Sequence, residues 1–86
     1  MSQKAKLLLK LLSGRSDSNL AFDDIVRLLS QLGFTLRVKG SHHILTCDGV
    51  DEIINLQPKG SLAKPYQVKQ VRELILKHHL ADELDP

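Results

Sequence analysis

The chain has 86 residues, which is enough for about one hydrophobic core and excludes a second catalytic domain. Its 42% hydrophobic and 26% charged residues are typical of a globular protein rather than a disordered one. The formal net charge of +2 does not by itself indicate a nucleic-acid partner, but residues 37–77 carry seven Lys/Arg against four Asp/Glu. The aromatic residues are few (Phe22, Phe34 and Tyr66), so a stacking platform for bases is not expected.

Cysteine usage and hydropathy predict the cellular setting. The single cysteine, Cys47, cannot form an internal disulfide, and no Cys/His spacing is typical of a zinc site, so no metal or other cofactor is predicted. The longest apolar run, at residues 7–12, is interrupted by lysine and is far shorter than the roughly 18 residues of a membrane span. These features predict a soluble, cytoplasmic protein with no membrane partner.

The first of three helical patterns is a short, Leu-rich segment at residues 3–12, ended by Ser13 and Gly14. We expect it to pack over the domain or against a second copy of the chain, which leaves a homodimer open. A polar loop is predicted at residues 14–19.

The second helical pattern runs from Phe22 to Leu32, with Asn19 or Asp23 as its N-terminal cap and Gly33 as its left-handed stop. The third begins at Pro65, which suits a first helical turn. Between them the period changes to two, which predicts three antiparallel strands at about 34–39, 41–47 and 50–57. Turns are predicted at Gly40 and at residues 48–49, and a flexible loop at 59–63.

The strand pairing decides which side chains share a face of the sheet. If both hairpins have two-residue turns, paired positions add to an odd number, as for 39 with 42 or 37 with 42 in the first hairpin and 42 with 55 or 43 with 54 in the second. The face predicted to be the core, covered by two of the three helices, carries Phe34, Leu36, Val38, His43, Leu45, Cys47, Val50, Glu52, Ile54 and Leu56. The face predicted to be open carries Thr35, Arg37, Lys39, His42, Ile44, Thr46, Asp51, Ile53, Asn55 and Gln57.

His42 is the candidate for acid–base chemistry, because an exposed imidazole can accept a proton and return it at neutral pH. Arg37 and Lys39 on the same face would attract a phosphate and stabilise its charge. This equipment suffices to cleave RNA, whose ribose 2′-hydroxyl supplies the nucleophile. The alternative is that His42 is simply one polar residue on a solvated face.

Lysines around the start of the third helix form a second candidate feature. Lys59, Lys64 and Lys69 gather near a helix N-terminus, where backbone N–H groups favour a phosphate. A solvated run of charge explains them equally well. For His78 and His79, at the end of that helix, capping of the helix dipole is favoured.

One block of the sequence resembles the HicA toxin family, small ribonucleases of bacterial toxin–antitoxin pairs. The resemblance spans about residues 22–80, and its most specific part is Gly40-Ser41-His42-His43 between two strands. It lies between Gly33-Phe34 and an Asp48-Gly49 hairpin, followed by Pro58 and the closing helix.

The resemblance implies an α+β fold of αβββα order, like a double-stranded RNA-binding domain, here with an extra N-terminal helix. It implies a metal-independent mRNA interferase in which His42 is catalytic, Gly40 and Ser41 form the turn that presents it, and a HicB-type antitoxin covers this face. We expect a single domain over residues 1–86, with a helical extension and loop at 1–19, a HicA-like core at 20–80 and an acidic tail at 81–86.

This chain departs from the family pattern in two ways. Many members carry a further histidine before the proline that ends the third strand, whereas this chain has Gln57 before Pro58. It also has about twenty extra N-terminal residues. A non-catalytic RNA-binding module and a protein-interaction module that pairs through its sheet edge remain as alternatives.

Overall fold

The computed structural model describes residues 2–82 as three helices, a three-stranded antiparallel sheet and a two-stranded ribbon. The elements are α1 (Gln3–Ser13), α2 (Phe22–Gln31), β1 (Thr35–Lys39), β2 (His42–Cys47), β3 (Val50–Leu56), β4 (Pro58–Lys59), β5 (Leu62–Ala63) and α3 (Pro65–Lys77). The predicted α+β class, with αβββα order after an additional N-terminal helix, is confirmed. Most of the acidic tail predicted at 81–86 lies outside the described residues.

All three helices contribute to one hydrophobic core. α2 and α3 present their apolar stripes to it, and Leu45, Ile54 and Leu56 enter from the sheet. The Leu-rich α1 packs against α2 and α3, where Leu8 and Leu11 are buried. Of the two packing partners predicted for α1, the structure shows the one within the domain.

The ends of the helices differ in part from the prediction. Gly33 follows α2 with φ 107°, a conformation that favours glycine, as expected for a left-handed stop. Neither Asn19 nor Asp23 caps α2, whose N-cap residue is Ala21. Instead, the N–H of Phe22 donates to the carbonyl of Ser61 at 3.0 Å, so a neighbouring turn satisfies the helix end.

The segment predicted as a flexible loop at 59–63 is a short ribbon. Lys59 pairs with Leu62 across a two-residue turn, and Ala63 donates its N–H to the carbonyl of Leu20 at 2.8 Å. These bonds hold the ribbon against the chain that enters α2, so the loop prediction was wrong.

The sheet has the order β1-β2-β3, which leaves β1 and β3 as its edges. The first hairpin has one of the two registers that the sequence left open, 39 with 42 rather than 37 with 42, because Lys39 lies opposite His42. In the second, the predicted pairs 42 with 55 and 43 with 54 are wrong by two residues, because Ile44 lies opposite Asn55. An irregularity between Leu45 and Cys47 causes this shift: β2 advances by two residues while β3 advances by four.

A shift of two residues preserves the alternation of side chains, so each residue lies on the face of the sheet that was predicted for it. His43 lies on the helix-covered side, where its ring meets that of Phe22 edge to face at 4.8 Å, and His42 is exposed on the other side. Two residues predicted for the core are nevertheless exposed: Leu36 at 38% and Val38 at 57%. They lie on the edge strand β1, which the helices do not fully cover.

Candidate active site

The turn between β1 and β2 sets the position of His42. Lys39 and His42 are directly paired, so Gly40 and Ser41 form a two-residue turn between them. Gly40 has φ 62°, a conformation that a residue with a Cβ adopts at a cost of roughly 1–2 kcal/mol. This tight turn makes His42 the first residue of β2, at one end of the open face.

Two side-chain amides hold the His42 ring. Its Nδ1 lies 3.1 Å from Oδ1 of Asn55, and its Nε2 lies 3.0 Å from Nε2 of Gln57. The two-residue shift in the second hairpin favours the Gln57 contact, because it brings the end of β3 opposite the start of β2. In the predicted register Gln57 would be a diagonal neighbour of His42.

A third amide, that of Gln67 on α3, supports this end of β3. Its Oε1 accepts the backbone N–H of Gln57 at 3.2 Å, and its Nε2 donates to the backbone carbonyl of Asn55 at 3.4 Å. Gln67 is 5% exposed, the one buried polar or charged residue in the described part of the chain. Sequence reasoning missed it, although a glutamine four residues before the buried Val71 lies on the apolar stripe of the helix.

The cations predicted to bind RNA differ in how they are placed relative to His42. Lys39 is opposite His42 in the sheet, and Arg37 is on the same face two residues earlier in β1; both are exposed. Lys64, the N-cap residue of α3, reaches the site indirectly by donating from Nζ to Oε1 of Gln57 at 3.4 Å. Lys59 on β4 and Lys69 on α3 are exposed, and the hydrogen bonds of the His42 ring go to Asn55 and Gln57 instead.

Two further cations among residues 37–77 form ion pairs away from His42. Arg72 donates to both carboxylate oxygens of Asp17, at 2.9 and 3.1 Å, and this hydrogen bonding raises the pKa of its guanidinium. Lys77 donates to Glu52 at 2.7 Å, which raises the pKa of its ammonium. The surface charge near His42 therefore comes from the lysines and arginine named above.

An open cleft of about 400 Å³ lies beside His42, between the end of β3 and α3. The cleft is lined by Asn55, Gln57, Gln67 and Tyr66. Tyr66 is 59% exposed. An exposed aromatic ring can stack on a nucleobase. Tyr66 is one of the three aromatic residues noted in the sequence, and the expectation of no stacking platform stays a prediction.

The remaining histidines have structural contacts. His78 is the C-cap residue of α3, and its Nε2 lies 2.9 Å from Oε1 of Glu52 on β3, so its side chain ties the helix end to the sheet. His79 lies 3.4 Å from the carboxylate of Asp82. No group of three or more His, Cys, Asp or Glu side chains within residues 2–82 is arranged to hold a metal ion.

In the same range, no helix has the length and apolar character that crossing a bilayer would require. The fold and this site define a small α+β protein with an exposed histidine on the open face of its sheet, close to exposed cations. A family model described as the HicA toxin of bacterial toxin–antitoxin matches residues 22–84, most of the chain. The chain belongs to the HicA toxin family, and is thus the toxin of a toxin–antitoxin pair.

The other two comparisons, with curated proteins and with solved structures, gave no match. α1 lies outside the matched range, although Leu8 and Leu11 are part of the same core.

Proposed function

We propose that this toxin is a metal-independent endoribonuclease that cleaves mRNA with His42 as its catalytic residue. The observation that carries the proposal is the position of His42, exposed on the open sheet face, opposite Lys39 and beside a cleft. Membership of the HicA family supports the same conclusion.

The chemistry requires one group that moves a proton and donors that stabilise charge on phosphate. Nε2 of His42 takes the proton of the ribose 2′-hydroxyl, and the 2′-oxygen attacks the adjacent phosphorus. The bond from phosphorus to the 5′-oxygen breaks, and the proton returns to that oxygen, which leaves a cyclic 2′,3′-phosphate. Arg37 and Lys39 stabilise the negative charge that builds up on the phosphate oxygens.

Gln57 must move for this step to occur. Its amide nitrogen lies 3.0 Å from Nε2 of His42, the atom that has to receive the proton. The incoming 2′-hydroxyl displaces this amide, which is then free to donate to a phosphate oxygen. Lys64, already 3.4 Å from Oε1 of Gln57, would lie close to the same phosphate.

Flanking nucleotides would bind through their backbone phosphates to Lys59, Lys64 and Lys69. Tyr66 supplies a ring for one base beside the catalytic histidine. Because mRNA is the substrate, the proposal places the protein in the cytoplasm. A HicB-type antitoxin would inhibit it by covering the His42 face.

The test is cleavage of single-stranded RNA by the purified protein in the presence of a chelator. Wild type and His79→Ala, in which an exposed histidine far along the chain is removed, should cleave, whereas His42→Ala should not. Growth arrest on expression should follow the same pattern. Equal cleavage by His42→Ala would refute the assignment of His42, and inhibition by the chelator would refute the metal-independent reaction.

A non-catalytic RNA-binding module is the other outcome that this experiment distinguishes. Such a protein would bind RNA in a salt-sensitive way, because phosphate contacts release counterions, and would leave the RNA intact.

A further inference from the structure

The two amides that flank His42 specify which ring nitrogen carries the proton in the neutral state. An amide oxygen can only accept a hydrogen bond, so the contact with Oδ1 of Asn55 at 3.1 Å requires a proton on Nδ1 of His42. An amide nitrogen can only donate, so the contact with Gln57 at 3.0 Å requires a lone pair on Nε2. Both contacts select the same tautomer.

The orientation of the Gln57 amide is itself held by further contacts. Oε1 of Gln57 accepts from Nζ of Lys64 at 3.4 Å, and its Nε2 is also 3.4 Å from Oγ of Ser41 as a donor. This places the amide nitrogen of Gln57, and not its oxygen, toward His42. The buried Gln67 donates to the backbone carbonyl of Asn55 and so holds the backbone from which the Asn55 side chain reaches His42.

The two amides differ in what RNA binding would do to them. Gln57 contacts the nitrogen that must be freed, so it is displaced when a 2′-hydroxyl arrives. Asn55 contacts the opposite nitrogen, so it can keep its hydrogen bond throughout the reaction. Only Asn55 is therefore able to maintain the tautomer at the moment of proton transfer.

We propose that Asn55 is a positioning residue that keeps the proton of neutral His42 on Nδ1 and so leaves Nε2 free to act as the base. The catalytic part of this inference rests on the proposed ribonuclease function; the tautomer does not. When the base has the wrong tautomer, a proton occupies the nitrogen that should accept one, so the rate falls even though the substrate still binds.

The experiment combines a spectroscopic readout with kinetics. Long-range ¹H–¹⁵N NMR spectra of the free protein, recorded above the pH at which the ring becomes neutral, distinguish protonated from unprotonated ring nitrogens. We expect a proton on Nδ1 of His42 in the wild type and in Asn55→Asp, which retains an acceptor oxygen. In Asn55→Leu, of similar size but without an acceptor, Nε2–H should become populated.

Thr46→Val is the matched control, because Thr46 is exposed on the same face and makes no contact with the His42 ring. In RNA cleavage, Asn55→Leu should lower kcat by about 10–100-fold with little change in KM, by analogy with the loss of a group that orients a metal-binding histidine. Asn55→Asp should recover much of that loss, and Thr46→Val should behave as the wild type.

The positioning role is overturned if Asn55→Leu leaves the His42 tautomer unchanged. It is also overturned if the kcat and KM of Asn55→Leu are the same as those of Thr46→Val. A protein that cleaves no RNA, but whose His42 still loses the Nδ1 proton in Asn55→Leu, would support the positioning of the ring by Asn55 and refute the ribonuclease function. Backbone spectra of each variant establish that the fold is retained.

Discussion

The contact between Arg72 and Asp17 gives a quantitative prediction about how α1 is held to the rest of the fold. Arg72 on α3 donates to both carboxylate oxygens of Asp17 in the loop after α1 and also to the carbonyl of Leu11 at 3.2 Å. The side chains of Arg72 and Asp17 are only 17% and 23% exposed. Replacement by glutamine in Arg72→Gln would leave a half-buried carboxylate and a helix carbonyl without this partner.

The expected loss follows from these contacts. Hydrogen bonds to charged groups contribute about 1.5–3 kcal/mol, and partial access of water to the pair favours the lower part of that range, about 2 kcal/mol. For a domain of this size about 2 kcal/mol corresponds to a fall in Tm of roughly 8–16 °C. Thermal unfolding followed by circular dichroism measures this shift, and urea unfolding checks the free energy.

Arg27→Gln is the matched control. Arg27 also pairs with an aspartate, Asp24, but the two side chains are 62% and 40% exposed, and such surface pairs contribute about 0–1 kcal/mol. If Arg72→Gln lowers the Tm no more than Arg27→Gln does, the reasoning is refuted. A double-mutant cycle with Asp17→Asn should show coupling between Arg72 and Asp17, because the two residues are in direct contact.

The remaining predictions concern RNA binding and the dependence of stability on pH. Tyr66→Ala should weaken binding of single-stranded RNA by about 1–3 kcal/mol through loss of one stacked base, whereas Tyr66→Phe should bind as the wild type; fluorescence anisotropy measures both, and equal weakening by the two would contradict stacking. Hydrogen bonds from Lys77 and then from His78 lower the pKa of Glu52 from 4.5 to about 2. A pKa lowered in the folded state stabilises the fold above about pH 4.5, and that stability is lost as the pH falls through about 2. The difference in urea midpoint between wild type and Glu52→Gln should therefore shrink from pH 6 to pH 2, and a difference that stays constant would contradict the role of this carboxylate.

The placement of His42 was predictable from the sequence because it depends on local signals. The turn residues Gly40 and Ser41 set the register of the first hairpin, and strict alternation then places His42 and His43 on opposite faces. The second hairpin shows where local signals end. The turn at 48–49 predicts the pair Cys47 with Val50, which is present, but the irregularity after it depends on how the whole of both strands packs.

That irregularity is also why the surroundings of His42 were less predictable than His42 itself. Asn55 was expected directly opposite His42, whereas the shifted register pairs it with Ile44, and both Asn55 and Gln57 contact the His42 ring. The exposure of Leu36 and Val38 has a different origin, the incomplete cover of the edge strand β1 by the helices. Alternation predicts the face on which a side chain lies, but it does not show how far the helices extend over an edge strand.

Gln67 has a consequence for association between chains. β3 is an edge strand, and the outward N–H and C=O groups of such a strand can pair with a strand of another molecule and so begin aggregation. The Gln67 amide occupies the outward carbonyl of Asn55 and the outward N–H of Gln57, as a neighbouring strand would. One buried side chain therefore closes the end of this edge to foreign strands while leaving the adjoining sheet face accessible to solvent.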